Sequence, residues 1–151
     1  SEMCIRDRMF GDIATREGAP VNDVGWEIYP EGLYRFCQKY YRRFGMPIYI
    51  TENGTADAGD SFRARYIYDH LLQVRRLIDD GVDVRGYYHW SLMDNFEWAE
   101  GYEPRFGLVA VDYKNQKRAV RKSGKFYAEI CKRMGVTAPM IRKYLSTSRP
   151  K

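Results

Sequence analysis

Residues 47–54 read PIYITENG: a proline, four residues of strand-forming type, then an acid, an asparagine and a glycine. Ile48, Tyr49, Ile50 and Thr51 suit the pleated geometry of a short buried strand. Asn53-Gly54 is a pair that tolerates positive φ, so it predicts a turn that ends the strand. Glu52 is thereby placed at the strand's C-terminal tip. A solvated acid is the ordinary outcome for a glutamate after a strand. Its meaning therefore depends on what the rest of the chain brings beside it.

Working outward, PEGLYRFCQKYYRRF over 30–44 keeps helical spacing at Leu33, Phe36, Cys37, Tyr40, Tyr41 and Phe44, with Pro30 early and Gly45 just past the end. After the strand, TADAGDSF is a polar loop whose Asp60 and Ser61 are candidate N-caps. A second helix follows in FRARYIYDHLLQVRRLIDDG, with an apolar stripe at Ala64, Ile67, Leu71, Val74 and Ile78 and Gly81 placed to end it. DVRGYYHWSL then reads as a second buried strand. Alternation of helix and strand predicts βα units with parallel strands under covering helices. FGLVAVDY over 106–113 is a short strand, and KNQKR is the turn of a hairpin-like excursion. A last helix begins near Ser123, with Phe126, Tyr127, Ile130 and Met134 on its stripe, and Gly135 with Pro139 closes it. Residues 1–24 show no periodicity and read as an irregular or partly non-native lead, 25–135 as the structured body, and 136–151 as a tail.

With 151 residues, 44% of them hydrophobic, the chain has the composition of a globular protein with one core. The formal charge of +5 is spread over Arg42-Arg43, Arg75-Arg76, Lys114 to Lys125 and a basic end. Such dispersal describes solvated helix faces rather than a nucleic-acid stripe. Cys4, Cys37 and Cys131 are odd in number and lack the spacing of a zinc site or disulfide framework. A reducing, cytoplasmic location is the expectation, and no stretch approaches the 18 apolar residues of a membrane span.

The segment directly after the second strand, HWSLMDNFEWAEGYEPRFG, interleaves Trp90, Phe96, Trp98, Tyr102 and Phe106 with Asp94, Glu97, Glu100 and Glu103. Sugars present apolar C–H faces and diverging hydroxyls, so a site for them needs flat rings beside carboxylates. In parallel α/β folds the loops after the C-terminal ends of the strands build the site. Glu52 and this loop both fall there, which points to glycosidic chemistry with a carboxylate at the reacting carbon. Metal binding by His89, Asp94 and Glu97 is the main rival, but His89 alternates with Trp90 along a strand and is expected to pack. His70 lies within a helix and has no partner pattern.

YITENG resembles the nucleophile motif on the seventh strand of glycoside hydrolase family 1, the β-glucosidase family of retaining enzymes on a (β/α)₈ TIM barrel. WSLMDNFEWAEGYEPRFGLVAVDY resembles the segment after the eighth strand, and GWEIYPEGLY, NQKR and KSGKFYAEI match the flanking pattern, so the likeness covers about Gly25 to Gly135. Two separated motifs in order carry far more weight than one. The resemblance implies an α/β fold made of the C-terminal third of the barrel: its last two strands and their helices, incomplete alone. It implies Glu52 as the catalytic nucleophile, Trp90 as the platform under the sugar, and Glu97 as acceptor from the 4- and 6-hydroxyls. Trp98 becomes an indole donor to a sugar hydroxyl, and Phe106 the wall near the 6-position. No metal and no cofactor are implied; the partner is a small-molecule β-glycoside or oligosaccharide, with no nucleic acid and no membrane. Where 6-phospho-β-glycosidases carry Ser, Lys and Tyr, this chain has Glu97, Pro104 and Phe106, which favours unphosphorylated substrates. The family's acid/base glutamate has no counterpart here, so this chain alone is expected to be inactive. A non-catalytic sugar-binding relative, of the kind the Klotho proteins represent, is the alternative, and intact Glu52 speaks against it.

Overall fold

The computed structural model describes residues 15–145; the expectations for 1–14, for Cys4 and for the basic end at 146–151 lie outside them. Helix α1, Pro30–Phe44, has the predicted bounds, with Pro30 in its first turn where a missing N–H costs nothing. Strand β1, Ile48–Gly54, pairs in parallel with β2, Val84–Trp90, and α2, Arg63–Asp79, makes the crossover. Strands β3, Val109–Val111, and β4, Arg118–Val120, form the predicted antiparallel hairpin, shorter than FGLVAVDY suggested. Helix α3, Lys122–Arg133, follows it. Residues 136–151, read as a tail, hold a further helix α4, Ala138–Leu145, whose first turn contains Pro139. Proline starts that helix instead of closing the previous one.

Asn53-Gly54 is not a turn. The strand runs through it, with Asn53 opposite His89 and Gly54 opposite Trp90. Glycine is needed there because a Cβ would lie 1.7 Å from the Trp90 carbonyl oxygen. The residue that permits a turn also permits close approach of two strands.

Helix α2 joins two apolar clusters. Ala64 and Ile67 enter one with Leu108, Phe126, Met140, Tyr144 and Leu145; Val74 and Leu77 enter the other with Tyr34, Cys37, Ile50 and Val82. Leu77 takes the buried position expected of Ile78, which is 49% exposed. Met134 is likewise outside: it takes a left-handed C-cap and is 90% exposed. On α1, Tyr34 and Cys37 are buried, whereas Phe36, Tyr40 and Phe44 of the predicted stripe form a stacked, solvent-facing ridge. The start of α2 is also capped differently from the expectation. Asp57, not Asp60 or Ser61, accepts from the Ser61, Phe62 and Arg63 amides, while Asp60 pairs with Arg63 and Ser123.

Burial gives His70 a pH signature. Its ring is 3% exposed and its Nδ1 lies 2.8 Å from the Tyr66 carbonyl. Desolvation pulls its pKa from 6.5 to about 4, against smaller upward pulls from that carbonyl and Asp69. The unfolded chain thus binds the proton more tightly, so this contribution is complete above pH 6.5 and is lost as pH falls toward about 4. Over that window, denaturant titrations of the protein should show a slope of stability on pH that His70→Gln reduces by up to about one proton. An unchanged slope would show that His70 is solvated.

Candidate active site

Among the described residues β1 and β2 pair only with each other, so one face is covered by helices and the other carries Tyr49, Thr51, Glu52 and Tyr88 into solvent. The pairing explains where Glu52 points. Ile50 is opposite Tyr87 and Asn53 opposite His89, so Thr51 and Glu52 together face the single residue Tyr88. That two-against-one count is a β-bulge, which re-aims a side chain at a strand end. Glu52 therefore leaves the strand on the open face, close enough to Glu97 to repel it, instead of from the tip after a turn.

Behind the bulge, Asn53 turns toward the helices. Its Nδ2 donates to the Tyr66 hydroxyl at 3.2 Å, and its Oδ1 accepts from the Tyr87 hydroxyl at 2.8 Å. The Trp90–Ser91 peptide is cis. From Ser91 the chain runs alongside 106–109, with Ser91 N–H to the Phe106 carbonyl and Leu108 N–H to the Ser91 carbonyl. The loop between these runs carries Glu97 and Trp98.

That loop is anchored by Asp94, whose side chain is 1% exposed. Its carboxylate accepts two bonds from Arg121, at 2.8 and 3.0 Å, and one each from the Gly107 and Val111 amides. Burial alone would raise its pKa, but Arg121 and the two amides prevail and hold it below the usual carboxylate value. Asp94 is thus a structural anion, not a metal ligand. At the loop's tip, Glu97 N–H donates to the Gly101 carbonyl at 2.7 Å, and a 3₁₀ turn covers Trp98–Glu100. Trp98 is held at φ 47°, a left-handed backbone unfavourable for a bulky side chain, and is 74% exposed. Such strain collects at functional loops.

Glu97 is the most informative side chain in the loop. Its Oε2 is buried and has no hydrogen-bond partner among the described residues. Burial raises its pKa first of all, with Glu52 and Glu100 adding repulsion and the Trp90 indole partly offsetting them. An orphaned buried carboxylate oxygen costs free energy unless a donor arrives. Glu52, Trp90 and Glu97 therefore form one neighbourhood, open on the face away from the helices. Phe106, whose carbonyl accepts from the Ser91 N–H, is only 3% exposed, with its ring 5.8 Å from that of Trp26.

His89 packs, as the strand alternation implied: its ring is 5.9 Å from that of Tyr127, on the face opposite Trp90. Burial, with repulsion from Arg63 and His70, takes its pKa down to about 3, so it stays neutral. Among the described residues no three His, Cys, Asp or Glu side chains gather as a metal set, and no helix is long and apolar enough to cross a membrane. Sequence reasoning passed over Asn53, Asp57 and the fully buried Arg63, which donates to the Asp57 and Arg105 carbonyls, both at 2.6 Å, and ties the two loops together. A signal existed in the arginine at the first turn of an amphipathic helix, preceded by Asp57 and Asp60.

The sequence profile of glycosyl hydrolase family 1 matches residues 6–136. The chain belongs to that family. It is 49% identical to a β-galactosidase of Sulfolobus acidocaldarius over 130 residues, which is 86% of this chain and 26% of the relative. The fold superposes on a β-glycosidase from Pyrococcus horikoshii with TM-score 0.78 and 45% identity, covering 89% of this chain and 30% of that one. It superposes with TM-score 0.79 and 41% identity on a β-glucosidase from Thermotoga maritima in complex with castanospermine, covering 82% and 30%. This member of glycosyl hydrolase family 1 thus spans between a quarter and a third of the length of these relatives.

Proposed function

We propose that this chain is the C-terminal portion of a retaining β-glycosidase, holding the last two strands of a (β/α)₈ barrel with the nucleophile and part of the sugar subsite. The observation that carries the reading is the orphaned Glu97 oxygen beside Trp90 and Glu52, at the C-terminal ends of two parallel strands. Among the described residues the outer edges of β1 and β2 are unpaired, and these edges with the exposed ridge on α1 support a longer parent, since both would otherwise face solvent uncovered.

In the parent enzyme the Glu52 carboxylate attacks the anomeric carbon as the bond to the aglycone oxygen breaks. An acid from outside this chain protonates the leaving oxygen. The resulting glycosyl ester on Glu52 is then cleaved by water, which that same group deprotonates, and the anomeric configuration is retained. Trp90 supports the apolar face of the sugar, Glu97 accepts from its hydroxyls, and Trp98 donates its indole N–H. With only the nucleophile, the 151-residue chain alone should not turn over an aryl β-glucoside.

Substrate class follows from Glu97. A 6-phosphate would set a dianion against a half-buried carboxylate, with Pro104 and Phe106 offering neither a cation nor a hydroxyl. Like charges brought together in a desolvated site cost several kcal/mol, so kcat/KM should favour an aryl β-glucoside over its 6-phosphate by about a hundredfold or more. Measuring both substrates on the parent enzyme tests the proposal. A ratio near one would overturn it.

A further inference from the structure

We propose that Asn53 is a positioning residue for Glu52, its carboxamide clamped between the Tyr66 and Tyr87 hydroxyls so that the bulge carrying Glu52 keeps one conformation. The inference rests on the reading of Glu52 as nucleophile. A bulge residue has no cross-strand partner of its own, so its direction is set by how the strand re-enters register. Asn53 is the re-entry point, opposite His89.

An asparagine is not required there by the backbone, because the described non-glycine residues with positive φ are Asp60, Trp98, Gln116 and Met134. What it supplies is a rigid planar group bonded at both ends, by donation to Tyr66 and acceptance from Tyr87. The two tyrosines come from different elements, α2 and β2, and each is held in turn. The Tyr66 ring stacks on His70 at 3.9 Å between centroids, and the Tyr127 hydroxyl from α3 donates to the Tyr87 carbonyl at 3.1 Å. Burial raises both phenols above their ordinary range, so neither bond is lost by ionisation. Helices α2 and α3 thereby reach the nucleophile through one side chain. An apolar residue at 53 would fill the same space without fixing the strand's rotation.

The test uses the parent enzyme with Tyr87→Phe, Tyr66→Phe and Asn53→Ala, read by the rate constant of covalent labelling with an aryl 2-deoxy-2-fluoro-β-glucoside, by kcat and KM, and by thermal midpoint. A misplacement of about 1 Å costs on the order of a hundredfold in rate, so Asn53→Ala should slow labelling and kcat by about that factor and Tyr87→Phe by roughly tenfold. KM and the inactivator's binding constant should stay within about threefold, since Trp90 and Glu97 are untouched. Tyr87→Phe removes a single oxygen and decides the matter if Asn53→Ala does not fold. Variants that melt earlier yet label at the wild-type rate would overturn the clamp alone. A wild-type enzyme that is not labelled at Glu52 would overturn the nucleophile reading and the clamp with it.

Discussion

Glu52→Gln in the parent enzyme is expected to lower kcat by on the order of 10⁴-fold or more while leaving KM within a few-fold of wild type. The amide matches the carboxylate in shape, so the bulge and its neighbours need not move. In the proposed mechanism it cannot form the glycosyl ester, so the double displacement should stop at its first step. In their proposed roles Trp90 and Glu97 would still hold the sugar, so binding should survive. Steady-state kinetics on an aryl β-glucoside separate the two effects. A loss confined to KM would place Glu52 among groups that bind substrate without reacting with it.

Arg121→Met should destabilise the protein by about 3 kcal/mol, the lower end of the usual cost of breaking a buried ion pair, because Arg105 remains 3.6 Å from the Asp94 carboxylate. Asp94 would keep its two amide donors and the Arg105 guanidinium but lose the bidentate Arg121, with its side chain 1% exposed. The loop carrying Glu97 and Trp98 is anchored at that point, so kcat/KM should fall together with the denaturant midpoint. The double variant Asp94→Leu/Arg121→Met should be less unstable than the sum of the two single changes, since it removes both members of the bidentate pair together. Additive losses would show that the pair is not coupled.

The large elements were legible because each depended on local physics. Helix α1 is bounded by Pro30 and Gly45, β2 is announced by its aromatic and β-branched run, and the helix–strand alternation left parallel pairing as the simple outcome. The errors came where one residue type serves two purposes. Asn53-Gly54 carries the signature of a turn, but the glycine admits the Trp90 backbone and the asparagine is bonded by two tyrosines far away in sequence. Pro139 suits a helix stop and a helix start equally, and only the packing of Met140 and Tyr144 into the core separates them. Phe36, Tyr40 and Phe44 keep helical spacing yet face solvent, because an apolar stripe states that a face is to be covered without naming its cover.

The candidate site was legible in part. Glu52, Trp90, Glu97 and Trp98 were readable as types in positions, an acid at a strand end and a loop of rings and carboxylates. Their support was not. The Asp94–Arg121 pair spans 27 residues and the Asp60–Ser123 contact 63, and no periodicity reports a bond across such a separation. The bulge that aims Glu52 is a property of pairing between two strands, so neither strand's sequence contains it.

In the proposed mechanism a Glu52 carboxylate oxygen bonds covalently to the sugar. That bond is tested most directly by incubating the parent enzyme with an aryl 2-deoxy-2-fluoro-β-glucoside, whose fluorine slows breakdown of the ester, and locating the adduct by peptide mass spectrometry. The account predicts one adduct, on the peptide containing PIYITENG, with the sugar on Glu52. An adduct on any other carboxylate, or none in an enzyme that turns over the parent glucoside, would contradict it.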